Sequence, residues 1–247
     1  MKVIFRLLTV IILVCVIIFC TGNVLPDISD SFNSKIEDQR IDRVIETSAE
    51  NDSIFSHEAF NRLYAINSDL IGYLHFDSGI INEPIVKGSS NEVYLRMSFE
   101  HTYSSQGTVF MDSDASLDSQ HFTIYGHNVY YDDNAKFSPL SRLADQNFYE
   151  QNKTFVIFTS DEQIRYEITN VMYLSDDEFL DYDYTKSDFD SKESFNSWIG
   201  FANAKNLIIP EKNIVFQDHF ITLQTCKRWD EHTIILVLAK EIEFTQY

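Results

Sequence analysis

Between Ile71 and Ala239 the chain is cut into short runs rich in Val, Ile, Phe, Tyr and Thr, each bounded by polar and turn-forming residues. Such runs occur at 107–111, 122–125, 155–159, 164–173, 214–217, 219–225 and 233–239. β-Branched and aromatic side chains pack well on a pleated surface and lose rotamer freedom in a helix, so these runs are expected to be strands. Many short strands separated by turns describe a barrel or a sandwich. The expected fold is mostly β: a closed or nearly closed antiparallel β-barrel with peripheral helices. Two helices are legible. Ser56 caps a stretch in which Phe60, Leu63 and Tyr64 share one face, predicting a helix over 57–66. Asp190 with Glu193 forms a capping-box pattern, and Phe195, Trp198, Ile199 and Ala202 mark the apolar face of a helix near 190–204.

The N-terminus has a different character. Lys2 and Arg6 precede an apolar stretch over 7–25, long enough for the roughly 20 residues that a spanning helix needs. A cleaved signal peptide is the rival reading, but no small-x-small cleavage site follows the run. The expectation is an N-terminal transmembrane helix over 1–25, a stalk or leading helix over 26–55, and a barrel domain over 56–247. Basic residues before the span and acidic ones after it, Asp27 and Asp30, keep the N-terminus inside. The protein is thus expected in the cell membrane, single-pass, with its folded domain extracytoplasmic. A formal net charge of −19 argues against nucleic acid as a partner. No Cys pair, His-x-x-x-His or EF-hand loop is present, so no metal is expected, and no Gly-rich phosphate loop points to a cofactor.

Three cysteines occur, and Cys15 and Cys20 lie in the apolar run. Cys226 therefore stands alone in the exported part, where a leftover thiol suggests intermolecular pairing or a reactive group, with a plain buried cysteine as the alternative. It closes Thr222-Leu223-Gln224-Thr225-Cys226, whose period-two alternation sets Thr222, Gln224 and Cys226 on one side. A thiol with a pKa of about 8.5 needs a basic neighbour to become a nucleophile. Among seven histidines His127 suits best, ending the strand-like Thr123-Ile124-Tyr125-Gly126-His127-Asn128 beside a glycine. An imidazole there can protonate a leaving amine and later deprotonate an incoming one.

Together these motifs resemble the sortase family, which pairs a T-L-x-T-C strand end with an upstream strand ending in G-H. The forms Tyr125-Gly126-His127-Asn128, Gly107-Thr108-Val109-Phe110-Met111-Asp112 and Asn67-Ser68-Asp69-Leu70-Ile71-Gly72-Tyr73-Leu74 are similar to class B members, as is the late helix near 190–204. The resemblance covers roughly 56–245. It implies a cysteine transpeptidase in which Cys226 attacks the carbonyl after a threonine in a C-terminal sorting motif and His127 protonates the leaving amine. The implied partners are surface proteins or pilins bearing a sorting signal, and an amine acceptor from a cell-wall precursor or a pilin lysine. Thr222, Thr225 and Asn128 are the expected substrate contacts, with strand propensity as the equal explanation of the two threonines.

The chain departs from the family at one place. The strand after the cysteine should open with an arginine, and here Thr233 or Ile234 stands there. Arg228 is the substitute that could stabilise the oxyanion, with a solvated loop arginine as the equal alternative and His232 as a weaker donor. The departure motivates a second function, a sortase-like module that binds surface proteins or pilins without efficient turnover. A hydrolytic cysteine peptidase is the third.

Overall fold

The computed structural model describes residues 12, 25–48, 54–178, 181–210, 213–227 and 230–246. Eight strands close into a barrel: β1 (Leu70–Phe76), β2 (Asn82–Val86), β3 (Phe110–Met111), β4 (His121–Tyr125), β5 (Thr154–Phe158), β6 (Glu162–Ser175), β7 (Phe220–Lys227) and β8 (Asp230–Gln246). Around the barrel their order is β1-β2-β3-β4-β7-β8-β6-β5, and β5 returns to pair with β1. The antiparallel expectation needs correction at two places, since β2–β3 and β4–β7 run parallel. Parallel neighbours require a crossover. The chain supplies one over 87–109 between β2 and β3, and a longer one through β5 and β6 between β4 and β7.

The sequence pattern carries into the elements unevenly. The run at 214–217 is not a strand; Ile214 and Phe216 pack against the core under a helix while Val215 is exposed, so its alternation is satisfied without a ladder. The segment 107–109 also lies outside β3. Gly107 has φ +59, and a Cβ there would sit 2.4 Å from the Tyr94 carbonyl oxygen, so only glycine lets this segment lie against the 3-10 turn Val93–Leu95. That contact positions Leu95, which matters below.

Among the described residues, α-helices around the barrel are α1 (Leu25–Thr47), α2 (His57–Ile66), α3 (Gln146–Gln151) and α4 (Lys192–Lys205). Ser56 Oγ accepts from the Ala59 N–H at 3.1 Å and starts α2. At α4 the cap is Ser191, whose Oγ accepts from the Ser194 N–H at 3.2 Å, one residue beyond the expected Asp190. Among the described residues no helix is long and apolar enough to cross a membrane. The span expected over 7–25 lies, apart from Ile12 and Leu25, outside them.

Three apolar clusters hold these layers. Phe122, Ile124, Ile221 and Leu223 point into the barrel with Leu74, Ile157, Val171 and Val237. Ile41 and Ile45 of α1 and Phe60 and Leu63 of α2 cover the faces of β1, β2 and β5. Phe195, Trp198 and Ile199 of α4 cover β6, β7 and β8. Since Phe122, Ile124, Ile221 and Leu223 face inward, the alternate residues of β4 and β7 face outward.

Candidate active site

β4 and β7 pair in parallel with Thr123 opposite Thr222 and Tyr125 opposite Gln224. The ladder continues one step further, the Gly126 N–H donating to the Gln224 carbonyl at 3.1 Å. His127 and Cys226 each stand two positions beyond the Tyr125–Gln224 pair, so both strands deliver their outward-facing end residue to the same rim. Only a parallel pairing does this; an antiparallel one would send them to opposite ends. Asn128 joins the two ends, its Nδ2 donating to the Cys226 carbonyl at 3.0 Å. Cys226 is exposed and His127 partly buried.

The imidazole is held from two sides. His127 Nε2 lies 3.0 Å from the Leu95 carbonyl oxygen. A carbonyl only accepts, so Nε2 carries the proton, and Nδ1 is the nitrogen that can take one. Behind it, the Phe137 N–H donates to the His127 carbonyl at 3.0 Å, and the Phe137 ring fills the space beside Gly126, where a Cβ would meet it at 2.6 Å. Burial and then the Arg96 charge hold the imidazole pKa below its ordinary value, against the opposing pull of the Leu95 hydrogen bond. At neutral pH the ring is therefore a ready base.

The described residues thus bring a thiol and an imidazole to adjoining strand ends of an eight-stranded barrel, and comparison with known proteins identifies the family. The family model described as the Sortase domain matches residues 75–241, more than half of the sequence. The chain belongs to the sortase family. It is 29% identical over 188 residues to sortase B of Staphylococcus aureus (strain NCTC 8325 / PS 47), covering 74% of this chain and 75% of that protein. The Staphylococcus aureus sortase B–substrate complex shares the fold with a TM-score of 0.74 at 23% identity, over 89% of this sortase and 99% of that chain. Clostridium perfringens sortase B gives a TM-score of 0.67 at 26% identity, over 74% and 99%. These relatives are class B, and the sortase is a cysteine transpeptidase of that type.

Other residues of the sortase take their places around this pair. Thr222 is fully buried with its Oγ1 2.8 Å from His121 Nε2, and Thr225 is 1% exposed at the barrel end. Both side chains thus lie below the surface of the barrel end. His121 is itself enclosed, with Nδ1 2.6 Å from the Lys186 carbonyl and its ring against Trp198. Across β7 and β8 the register partner of Cys226 is Ile234, an aliphatic residue 7% exposed, so β8 offers no arginine there. Arg228 lies outside the described residues. His232 is turned to Asp176, its Nδ1 2.6 Å from Oδ2, and Asp230 accepts from Thr233 Oγ1 at 2.8 Å in a polar turn.

Two neighbours went unread in the sequence. Burial first, then the charge of Asp112 and an electrostatic interaction with Cys226, lift the Tyr184 phenol pKa. Asp112 accepts from Tyr125 Oη at 2.6 Å and from Asn91 Nδ2 at 3.1 Å, bracing the outer face of β4. One tyrosine among 13 and one acid among 38 carry no local signal. Among the described residues no group of His, Cys, Asp and Glu could hold a metal ion.

Proposed function

We propose that this sortase cleaves a C-terminal sorting motif after threonine and joins the new end to an amine. The carrying observation is the parallel β4–β7 pair that ends in His127 and Cys226 on one outer face. In this reading His127 Nδ1 takes the Cys226 proton as the sulfur attacks the carbonyl carbon. The tetrahedral intermediate then collapses, the C–N bond breaks, and the imidazolium gives its proton to the leaving amine. An incoming amine attacks the thioacyl carbon, the C–S bond breaks and the sulfur regains a proton through His127. The covalent intermediate replaces one difficult acyl transfer by two easier ones. Asn128, bonded to the Cys226 carbonyl, sits at the lip where a substrate peptide would pass.

We assign the oxyanion role to Arg228, two positions past the nucleophile, whose planar fork suits a developing negative oxygen. Surface proteins or pilins with a sorting signal supply the acyl group, and a cell-wall precursor or pilin lysine supplies the amine. Two relatives support these classes: one was solved as a sortase B–substrate complex and another as sortase B complexed with triglycine. The apolar stretch over 7–25 anchors the chain in the cell membrane in this reading, with the barrel outside. A second reading, binding without efficient turnover, is favoured by one observation, the buried Ile234 opposite Cys226.

The full-length chain in detergent, given a threonine-containing sorting peptide with and without an amine acceptor, separates the readings. Amine-dependent product supports transpeptidation, and amine-independent cleavage makes the protein a hydrolase. Peptide binding with no thioacyl adduct on Cys226 favours the impaired module.

A further inference from the structure

We propose that Lys136 and helix α1 form a clamp that sets the position of His127, which makes Lys136 a positioning residue for the reaction. This rests on the reading of Cys226 and His127 as the reacting pair. The loop that leaves β4 after His127 returns at Phe137, and its neck is closed by the Phe137–His127 hydrogen bond and by the Asn128–Lys136 bridge. Lys136 thus helps to fix where His127 and Asn128 stand. Its side chain is 4% exposed and its Nζ reaches two carboxylates from other elements: Glu83 Oε2 of β2 at 2.9 Å and Asp38 Oδ1 of α1 at 3.1 Å.

Folding stability alone does not explain this arrangement. Burying the Lys136–Glu83 pair removes two charges from water, and well-packed apolar residues of similar volume are often as stable or more so. Lys136 also holds φ 49, in the left-handed region that side chains with a Cβ disfavour. What the triad does provide is directional: it pins the neck to a barrel strand and to α1 at once.

Helix α1 also fastens the segment that follows Leu95. Glu37 Oε1 accepts from Ser98 Oγ and from the Glu100 N–H, both at 2.7 Å, and Arg40 Nη1 pairs with Glu100 at 2.7 Å. Asp30 accepts from the Ser105 N–H at 2.7 Å, and Ser34 Oγ donates to Gln106 at 3.0 Å. Residues 98–106 follow closely on Leu95, whose carbonyl holds His127 Nε2. The same helix therefore bonds both the neck of the loop after His127 and the segment after Leu95, through polar contacts whose geometry fixes register, unlike apolar packing alone.

The test is the pH profile of Cys226 alkylation by iodoacetamide in the full-length chain, which needs no knowledge of the substrate. His127→Ala calibrates it: a profile unchanged from wild type would sink the Cys226–His127 reading itself. With that reading standing, Lys136→Met should move the apparent thiol pKa at least halfway toward the His127→Ala value. It should also slow alkylation at pH 7 by about threefold or more, with a native far-ultraviolet spectrum. Lys136→Arg, which keeps the charge, should restore most of the profile. A folded Lys136→Met protein with the wild-type profile overturns the proposal. If that variant does not fold, Asp38→Asn decides, because it leaves the Lys136–Glu83 pair intact: a smaller shift in the same direction supports the clamp, and a wild-type profile rejects it.

Discussion

At the level of single residues, the proposed site rests on one sulfur and one imidazole, and the surroundings of each bear on its chemistry. His127 keeps a lowered pKa through burial and Arg96, and its Nε2 proton is committed to Leu95. Replacing Cys226 with Ala should abolish the thioacyl adduct, which mass spectrometry of the peptide-treated protein would show. His127→Ala should lower the rate of acylation by about 10²–10⁴, the usual worth of a placed acid or base. A third change probes space and not chemistry. Gly126→Ala puts a methyl group into the Phe137 ring, and such overpacking should cost about 1–3 kcal/mol in a denaturant titration. It should also depress turnover, because the displaced ring belongs to the residue that holds the His127 carbonyl. Cys226 and His127 were readable because each ends a motif of a few residues. Tyr184 was not, because its relation to Cys226 exists only after two distant segments meet.

At the level of elements, α4 and β7 are joined through a buried histidine. His121 bridges the Lys186 carbonyl and Thr222 Oγ1 beneath Trp198, and burial lowers its pKa from 6.5 to about 4. Above pH 6.5 the ring is neutral both folded and unfolded, and its contribution is complete. Below that, the unfolded chain takes a proton that the folded one refuses, so stability falls as pH drops toward about 4 and levels off once the folded ring also protonates. The loss amounts to about 3 kcal/mol at roughly 1.4 kcal/mol per pH unit. Chemical denaturation at a series of pH values would show this limb, and His121→Gln, which cannot protonate, should flatten it. Trp198→Ala should cost about 3–5 kcal/mol, since Trp198 packs against His121, Tyr182, Phe189 and Phe220. The helix was legible from its apolar face, while the cap moved by one residue because Ser191 and Asp190 both fit the local pattern. The run at 214–217 misled for a related reason: a few alternating apolar residues read the same whether or not a neighbouring strand is there to pair with.

At the level of the whole molecule, a net charge of −19 gives a field that favours cationic partners. If the acceptor is a lysine-bearing peptide, its second-order rate of resolving the thioacyl enzyme should fall as ionic strength rises from about 0.01 M to 0.5 M, where the screening length shrinks from roughly 30 Å to a few ångströms. An uncharged hydroxylamine-type nucleophile should show little change, and equal salt dependence of the two would count against steering. The sequence by itself carried what is written over short spans: most of the later strand-forming runs, two helical faces, and a thiol and an imidazole each closing a short motif. These depend on periods of two or three to four residues and on the chemistry of individual side chains. Tertiary structure alone decided that β4 and β7 lie parallel, bringing Asn128 against Cys226 across 98 positions, and that α1 reaches across to Lys136 over the same separation. Such pairings turn on which distant surfaces complement each other once the intervening chain has closed its loops, and no short window of sequence holds that information.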